Sequence, residues 1–445
     1  MLISLRPAVG AAAALAAGCV LTATTPTFAQ QANAPVQYWI DLATYSMMGM
    51  EEMPDMPAGV MGNILGTRSA TGRDGRHAAG IGNFGQTKQP NMGRWMDTAL
   101  FAQKKPGGTE ATHQIPAGAT VGAAPLQLVT PPRESLTGRE ESSYPERPTG
   151  RLLFYWGCGS QVRAGQPRVM DFSKLGQADY NNFMQGRSVR DRGARAEPGH
   201  AIWPNDRQNS RVARTASLAG EHALTGDGVP ANMRFSLGQQ ADFMPAMQVS
   251  APGRLNESIR VNWQPVANAR AYLLVAMSGT ETRGGGAEAV FWSSSEPPES
   301  GMGLMDYISN PNVDKWQAER VLLPASQTNC EIPAGIFAKS DGAMLQSIAY
   351  GHETHIVHPP RPANPKTPWT PEWAVQVRTK SQSMTALGEE RTSGSRGRAE
   401  QRGSPRAAEQ RPVEQRPAEA EKPAGGLIPG LPGGVGDVLK GIFGR

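Results

Sequence analysis

Cysteine is scarce in this chain. Three residues, Cys19, Cys158 and Cys330, stand among 445, too few for a disulfide-built scaffold or a four-cysteine zinc centre. Aromatic residues reach only 6%, and few of them fall in the arginine-rich stretch from Asn181 to Ser217. The chain therefore lacks the mixed aromatic and basic face of a nucleic-acid binder, and no nucleic acid is expected as a partner. The formal excess of +5 is small and spread along the sequence, so charge alone points to no polyanion or membrane surface. No Gly-x-Ser-x-Gly elbow, phosphate-cradling loop, Cys-x-x-Cys or His-Glu-x-x-His is present. A non-catalytic protein is the better expectation.

What is plentiful is turn material. The 51 glycines and 37 prolines describe many short strands joined by long loops. At the start, Arg6 precedes an Ala/Leu/Val run from Ala8 to Leu21, and Thr27-Phe28-Ala29 offers small residues ahead of Gln30. That is the form of a secretory signal over residues 1–29, its apolar run too short for a membrane span. The chain is expected to be exported to the periplasm or cell envelope. A second reading takes Leu15-Ala16-Ala17-Gly18-Cys19 as a lipobox and anchors the protein through a lipid on Cys19. Export would place Cys158 and Cys330 where disulfides form, and a bridge or two separate buried thiols are equally compatible with the sequence.

From Arg254 to Ser278 two strands are plain: Ile259, Val261 and Trp263 alternate with polar neighbours, and after a polar turn a second run, Ala271 to Met277, is rich in Tyr, Leu and Val. With Trp263 and Tyr272 on successive core strands, the stretch resembles a fibronectin type III-like sandwich. The resemblance implies a β-sandwich, a scaffold that hosts many functions. The expected fold is mainly β: two β-sandwich-like domains with long Gly/Pro-rich loops, an N-terminal β-rich domain over 30–248 and the fibronectin type III-like domain over 249–386. A disordered linker, 387–426, has too little apolar surface to offset the entropy of ordering, and a short apolar segment, 427–445, ends the chain.

Two clusters carry ligand chemistry. Met47, Met50, Met53 and Met56, set among Glu51, Glu52 and Asp55, have thioethers suited to Cu(I), or pad a loop at one end of a sandwich. His352, Glu353, His355 and His358 could hold Zn or Cu; in an extended strand His352 and His358 share one face while Glu353 and His355 share the other, so one ion reaches all four only through a bend. Gly80-Ile81-Gly82-Asn83-Phe84-Gly85 spells a dinucleotide fingerprint, yet no strand precedes it and no helix pattern follows, so no such cofactor is expected. The reading is an exported envelope binding or interaction protein whose partner is an envelope protein or an anionic glycan or lipid surface. The alternative is a periplasmic metal-handling protein for copper or zinc.

Overall fold

The computed structural model describes residues 34–47, 82–89, 91–122, 124–133, 150–172, 174, 186–190, 192–210, 212–282, 286–364 and 366–388. The leader, Met50, Met53, Met56 and everything after residue 388 lie outside the described residues. The strands are β1 (Val36–Met47), β2 (Gly93–Ala102), β3 (Glu110–Gln114), β4 (Leu126–Val129), β5 (Arg151–Trp156), β6 (Arg168–Asp171), β7 (Ala201–Trp203), β8 (Gly220–Gly226) and β9 (Arg234–Leu237). They continue as β10 (Val249–Ser250), β11 (Ile259–Trp263), β12 (Ala271–Thr282), β13 (Gly286–Ser293), β14 (Leu323–Pro324), β15 (Asn329–Ile332), β16 (Ala343–His358) and β17 (Trp373–Leu387). Among the described residues one α-helix interrupts them, α1 (Asn310–Ala318).

The fold is mainly β, but the strands do not separate into two sandwiches. One mixed sheet runs β6-β5-β13-β12-β16-β17-β1-β2-β7-β4-β3-β8-β9, with β14 beside β12, and a second sheet of three runs β10-β11-β15. Two parallel pairings interleave the halves of the sequence: β1 lies along β17 from Val36↔Trp373 to Met47↔Met384, and β5 lies along β13. The reason is strand length. At 16 and 15 residues, β16 and β17 each extend about 50 Å, long enough to serve two cores.

Both cores lie on the same face of the long sheet. The first gathers Tyr38, Ile40 and Leu42 of β1 with Leu126, Leu224 and Phe235 and with Trp373, Val375 and Val377 at the start of β17. The second gathers Leu387 at the end of β17 with Leu345, Tyr272, Leu274 and Trp292, and the three-stranded sheet covers it with Val261, Trp263 and Ile332. Trp263 and Tyr272 meet across the two sheets, ring centroids 5.4 Å apart and edge to face, and the Tyr272 hydroxyl accepts from Val266 N at 3.0 Å. Between the cores runs a stripe of hydroxyls, with Ser46 and Ser347 paired to either side of Ser383, and Thr44 paired to Ser381. The chain from Phe243 to Met247 closes over it, its carbonyls accepting from Thr44 Oγ1 (2.7 Å, at Met244) and Ser46 Oγ (2.9 Å, at Met247). Ser347 Oγ and Ser381 Oγ are buried without such a partner among the described residues, so the stripe that separates the two apolar cores carries a desolvation cost.

On the opposite face, α1 starts after Ser309 with Pro311 in its first turn, where a missing N–H costs nothing. It buries Val313 and Trp316 against Leu273, Val275, Ile348 and Tyr350. Cys158, just beyond β5, and Cys330 in β15 are joined as a disulfide with Cα atoms 5.2 Å apart. The bridge ties the long sheet to the small one, reinforced by Gly159 N donating to Glu331 O at 2.9 Å.

Candidate functional site

The even-numbered side chains of β17, Gln376, Arg378, Lys380 and Gln382, point away from the two cores yet are all buried. The loops at 193–194 and 299–310 cover them. Arg378 forks onto Asp41 of β1, Nε to Oδ1 at 2.7 Å and Nη2 to Oδ2 at 2.6 Å, and Ala194 N donates to Asp41 Oδ2 at 3.0 Å. Lys380 Nζ lies 3.2 Å from Asp306 Oδ1. Tyr307 lies under both cations, its ring centroid 4.4 Å from the guanidinium carbon and 4.5 Å from the ammonium nitrogen. Two carboxylates and two cations make the group neutral overall, the condition under which burial is tolerated. Burial depresses the Lys380 ammonium, with Asp306 offsetting only part of it. Burial also pushes the Asp306 carboxyl up, but Lys380 and Arg378 outweigh this and hold it below the usual carboxylate range. Packing is tight enough that a Cβ on Gly193 would fall 1.7 Å from Arg378 Nη2. The arrangement holds strands and loops together and leaves no space for a substrate.

The glycine run that resembles a cofactor fingerprint has a structural task here. Gly85 N and Thr87 N donate to the Asp97 carboxylate at 2.9 and 3.1 Å, and Thr87 Oγ1 donates to it as well. Burial raises the Asp97 carboxyl to about 6 against those donors.

The four β16 residues divide. Glu353 and His355 face the buried network: Glu353 accepts from Gln376 Nε2, and His355 Nε2 lies 3.5 Å from its other oxygen. His358 faces the first core, stacked on Trp373 at 5.1 Å, with Asn232 Nδ2 3.2 Å from its Nε2. The register slips between Tyr350 and Glu353, so His352 sits in a bulge and strict alternation does not reach it. Gly351 permits that bulge, since a Cβ there would meet Thr379 Oγ1 at 2.0 Å. Among the described residues no three of His, Cys, Asp and Glu converge as a metal set. Met47 ends β1, half-buried, and its expected companions Met50, Met53 and Met56 are outside the described residues.

A second buried polar chain crosses the first core. Tyr38 Oη lies 2.8 Å from His113 Nδ1, His113 Nε2 lies 2.9 Å from His222 Nδ1, and His222 Nε2 lies 2.7 Å from Leu218 O. Leu218 O can only accept. His222 therefore donates to it, His113 donates to His222, and Tyr38 donates to His113, with both rings neutral. A proton added to His222 Nδ1 would set a donor against the His113 Nε2 donor. Burial also holds both imidazoles below their ordinary 6.5. Their folded values are depressed, so the stability they contribute is present above about 6.5 and is lost as pH falls, at about 1.4 kcal/mol per pH unit for each proton excluded. Asp97 works the other way between its ordinary value of 3.8 and about 6 and cancels about one proton at the acid end, while burial also depresses His200 and His352, which add to the loss. Urea unfolding is expected to give lower stability at pH 5 than at pH 7, and His222→Gln should flatten that dependence. An equally steep pH profile in the variant would place the acid lability elsewhere.

Among the described residues, two concavities that open to solvent stand out. The larger, about 770 Å³, lies at the far end of the first core. Its rim carries Lys105, Arg133 and Arg207 against Glu110 and Asp227, and prolines stiffen its walls at 106, 131, 132 and 198. The smaller, about 270 Å³, lies where β1 and β2 end and is bordered by Arg94 and Arg214. Of the arginine-rich stretch, Arg187 is held by Glu299 and Glu319, Arg195 by Glu197 and Arg207 by Glu110. Part of that stretch therefore fastens loops to the sheet. Comparison with family models, curated proteins and solved structures gives no match.

Proposed function

We propose that this is an exported, non-catalytic envelope protein that binds an anionic glycan in the 770 Å³ cleft. The cleft is the observation that carries the binding reading: it is open and polar, Lys105 pairs with Asp227 and Arg207 with Glu110 so that Arg133 supplies its excess positive charge, and its proline-stiffened walls need little ordering on binding. A protein partner is less favoured, because among the described residues the exposed large hydrophobics are Val162, Val169 and Met302, too few for the apolar centre of a stable interface. The Cys158–Cys330 disulfide supports export, since such bonds persist in oxidising compartments. The three-stranded sheet facing β13-β12-β16-β17 across Trp263 and Tyr272 supports the fibronectin type III-like reading of residues 249–386. Metal handling is the weaker reading, because Glu353 and His355 face one side of β16 and His358 the other.

Full-length chain made in a bacterial host is expected in the periplasm with an intact mass that begins at Gln30; a diacylated Cys19 terminus would select the lipoprotein form. The exported protein should be retained on dextran sulfate and not on neutral dextran. Reversing Arg133 and Arg207 to Glu should weaken retention about tenfold, a loss of about 1.4 kcal/mol, while reversing the exposed Lys339 and Lys366 should change it little. Equal losses from both pairs would reduce the effect to net charge and remove the cleft from the proposal.

A further inference from the structure

Lys380 is a primary amine shut away from water. Its side chain is 1% exposed, and the ring centres of Tyr45 and Tyr307 stand 5.9 and 4.5 Å from Nζ. The group it meets is the Asp306 carboxyl, whose Oδ1 lies 3.2 Å from Nζ and whose side chain is 25% exposed. A nucleophile sealed from solvent therefore rests against an acyl group whose outer edge still reaches water.

The contact is held from several sides. Tyr350 Oη donates to Leu304 O at 2.6 Å and Gln382 Nε2 to Met305 O at 3.3 Å, so the backbone just before Asp306 is fastened to β16 and β17. Gln382 follows Lys380 by two residues on the same face of β17, and the strand that carries the amine thus also sets the place of the carboxyl. Tyr307 N donates to Asp306 Oδ1 at 2.8 Å, which puts an N–H where negative charge gathers when the carboxyl carbon is attacked. Held geometry of this kind replaces the encounter of two free molecules and corresponds to effective concentrations of about 10⁵ to 10⁸ M.

We propose that Lys380 and Asp306 condense in the folded chain to an amide, an intramolecular cross-link between β17 and the loop at 299–310. The ion pair is the reactant. One proton passes from Nζ to the carboxyl along their contact and leaves a neutral amine beside a neutral acid. Burial favours this exchange by lowering the ammonium and raising the carboxyl, against the attraction of Lys380 and Arg378 that holds the carboxyl ionised. The Nζ lone pair then forms the bond to Cγ while Oδ1 takes the charge against the Tyr307 N–H. As the Cγ–Oδ2 bond breaks, Oδ2 leaves as water with two of the three ammonium protons, the second relayed by solvent at the exposed edge of Asp306, and the third stays on the amide nitrogen. One cation and one anion are consumed together, so the cluster stays neutral, Asp41 keeps Arg378, and the cost of holding that second pair of charges out of water is removed. The bond spans a sequence separation of 74 residues and pins the loop over the buried face of β17.

The intact mass of the full chain tests this without any substitution. The protein is expected to be lighter by one water than its composition with the Cys158–Cys330 bond. A tryptic digest should contain a branched peptide in which the segment bearing Asp306 is joined to Lys380, uncut after Lys380. Lys380→Arg, which keeps the charge but offers no amine to the carboxyl, should restore the full mass, and so should Asp306→Ala. A mass equal to the full composition, in fresh protein and again after prolonged incubation, would overturn the proposal. So would a loss of water that persists in Lys380→Arg, or one that maps to a succinimide at an Asp-Gly step such as Asp227-Gly228 with no branched peptide in the digest.

Discussion

Asp41→Ala is expected to lower folding stability by about 3–5 kcal/mol, the cost of leaving a buried charge without its partner. The Asp41 side chain is 1% exposed and that of Arg378 5%, so water cannot replace the lost carboxylate. The substitution also strips the acceptor from Ala194 N, which fastens the loop at 193–194 over the sheet. Arg378 would then face Tyr307 and the Lys380 ammonium in a region with one net positive charge. Replacing both partners together, Asp41→Leu with Arg378→Leu, should recover much of the loss, because two apolar side chains leave no orphaned charge. Urea denaturation of the three proteins gives the comparison directly. If the single variant loses less than about 1 kcal/mol, as exposed ion pairs do, water reaches the pair and the network is not closed.

How far the sequence discloses this molecule depends on the range of the signal. The strands at Ile259–Trp263 and Ala271–Met277 are legible because alternation and apolar runs are local, and the meeting of Trp263 with Tyr272 follows from two adjacent strands. The union of the strands into one sheet is not legible. Parallel pairing of Val36 with Trp373 leaves no mark on either segment. The strand β17 is equally instructive: its alternation is plain, but a period of two says only that the faces differ. Nothing local marks Arg378 and Lys380 as interior, and only the covering loops at 193–194 and 299–310 make them so. The histidine segment departs from its pattern for a different reason, a bulge at Gly351 that a glycine permits but does not announce.

Replacing Cys158 and Cys330 together by alanine is expected to have the largest effect, up to about 5 kcal/mol. The bond closes a loop across a sequence separation of 172 residues, and the chain-entropy account of cross-links assigns about that much to a loop of such length. The loop contains β6 to β14, so the constraint acts on most of both cores at once in the unfolded chain. In the folded state the bond joins the end of β5 to β15, and the neighbouring backbone contacts, Gly159 N to Glu331 O and Ala334 N to Ser160 O at 3.0 Å, remain to hold the same junction. The folded geometry should therefore survive while the free energy falls, and the small sheet over the second core is where the loss should appear first. Guanidinium unfolding with and without reductant measures it, and hydrogen exchange locates it: amides of β11 and β15 should lose more protection than those of β1 and β2. A reduced protein as stable as the oxidised one would mean that the unfolded chain is already confined without the bond. Uniform loss of protection would mean that the two cores unfold as one unit, joined through β16 and β17 more strongly than through the disulfide.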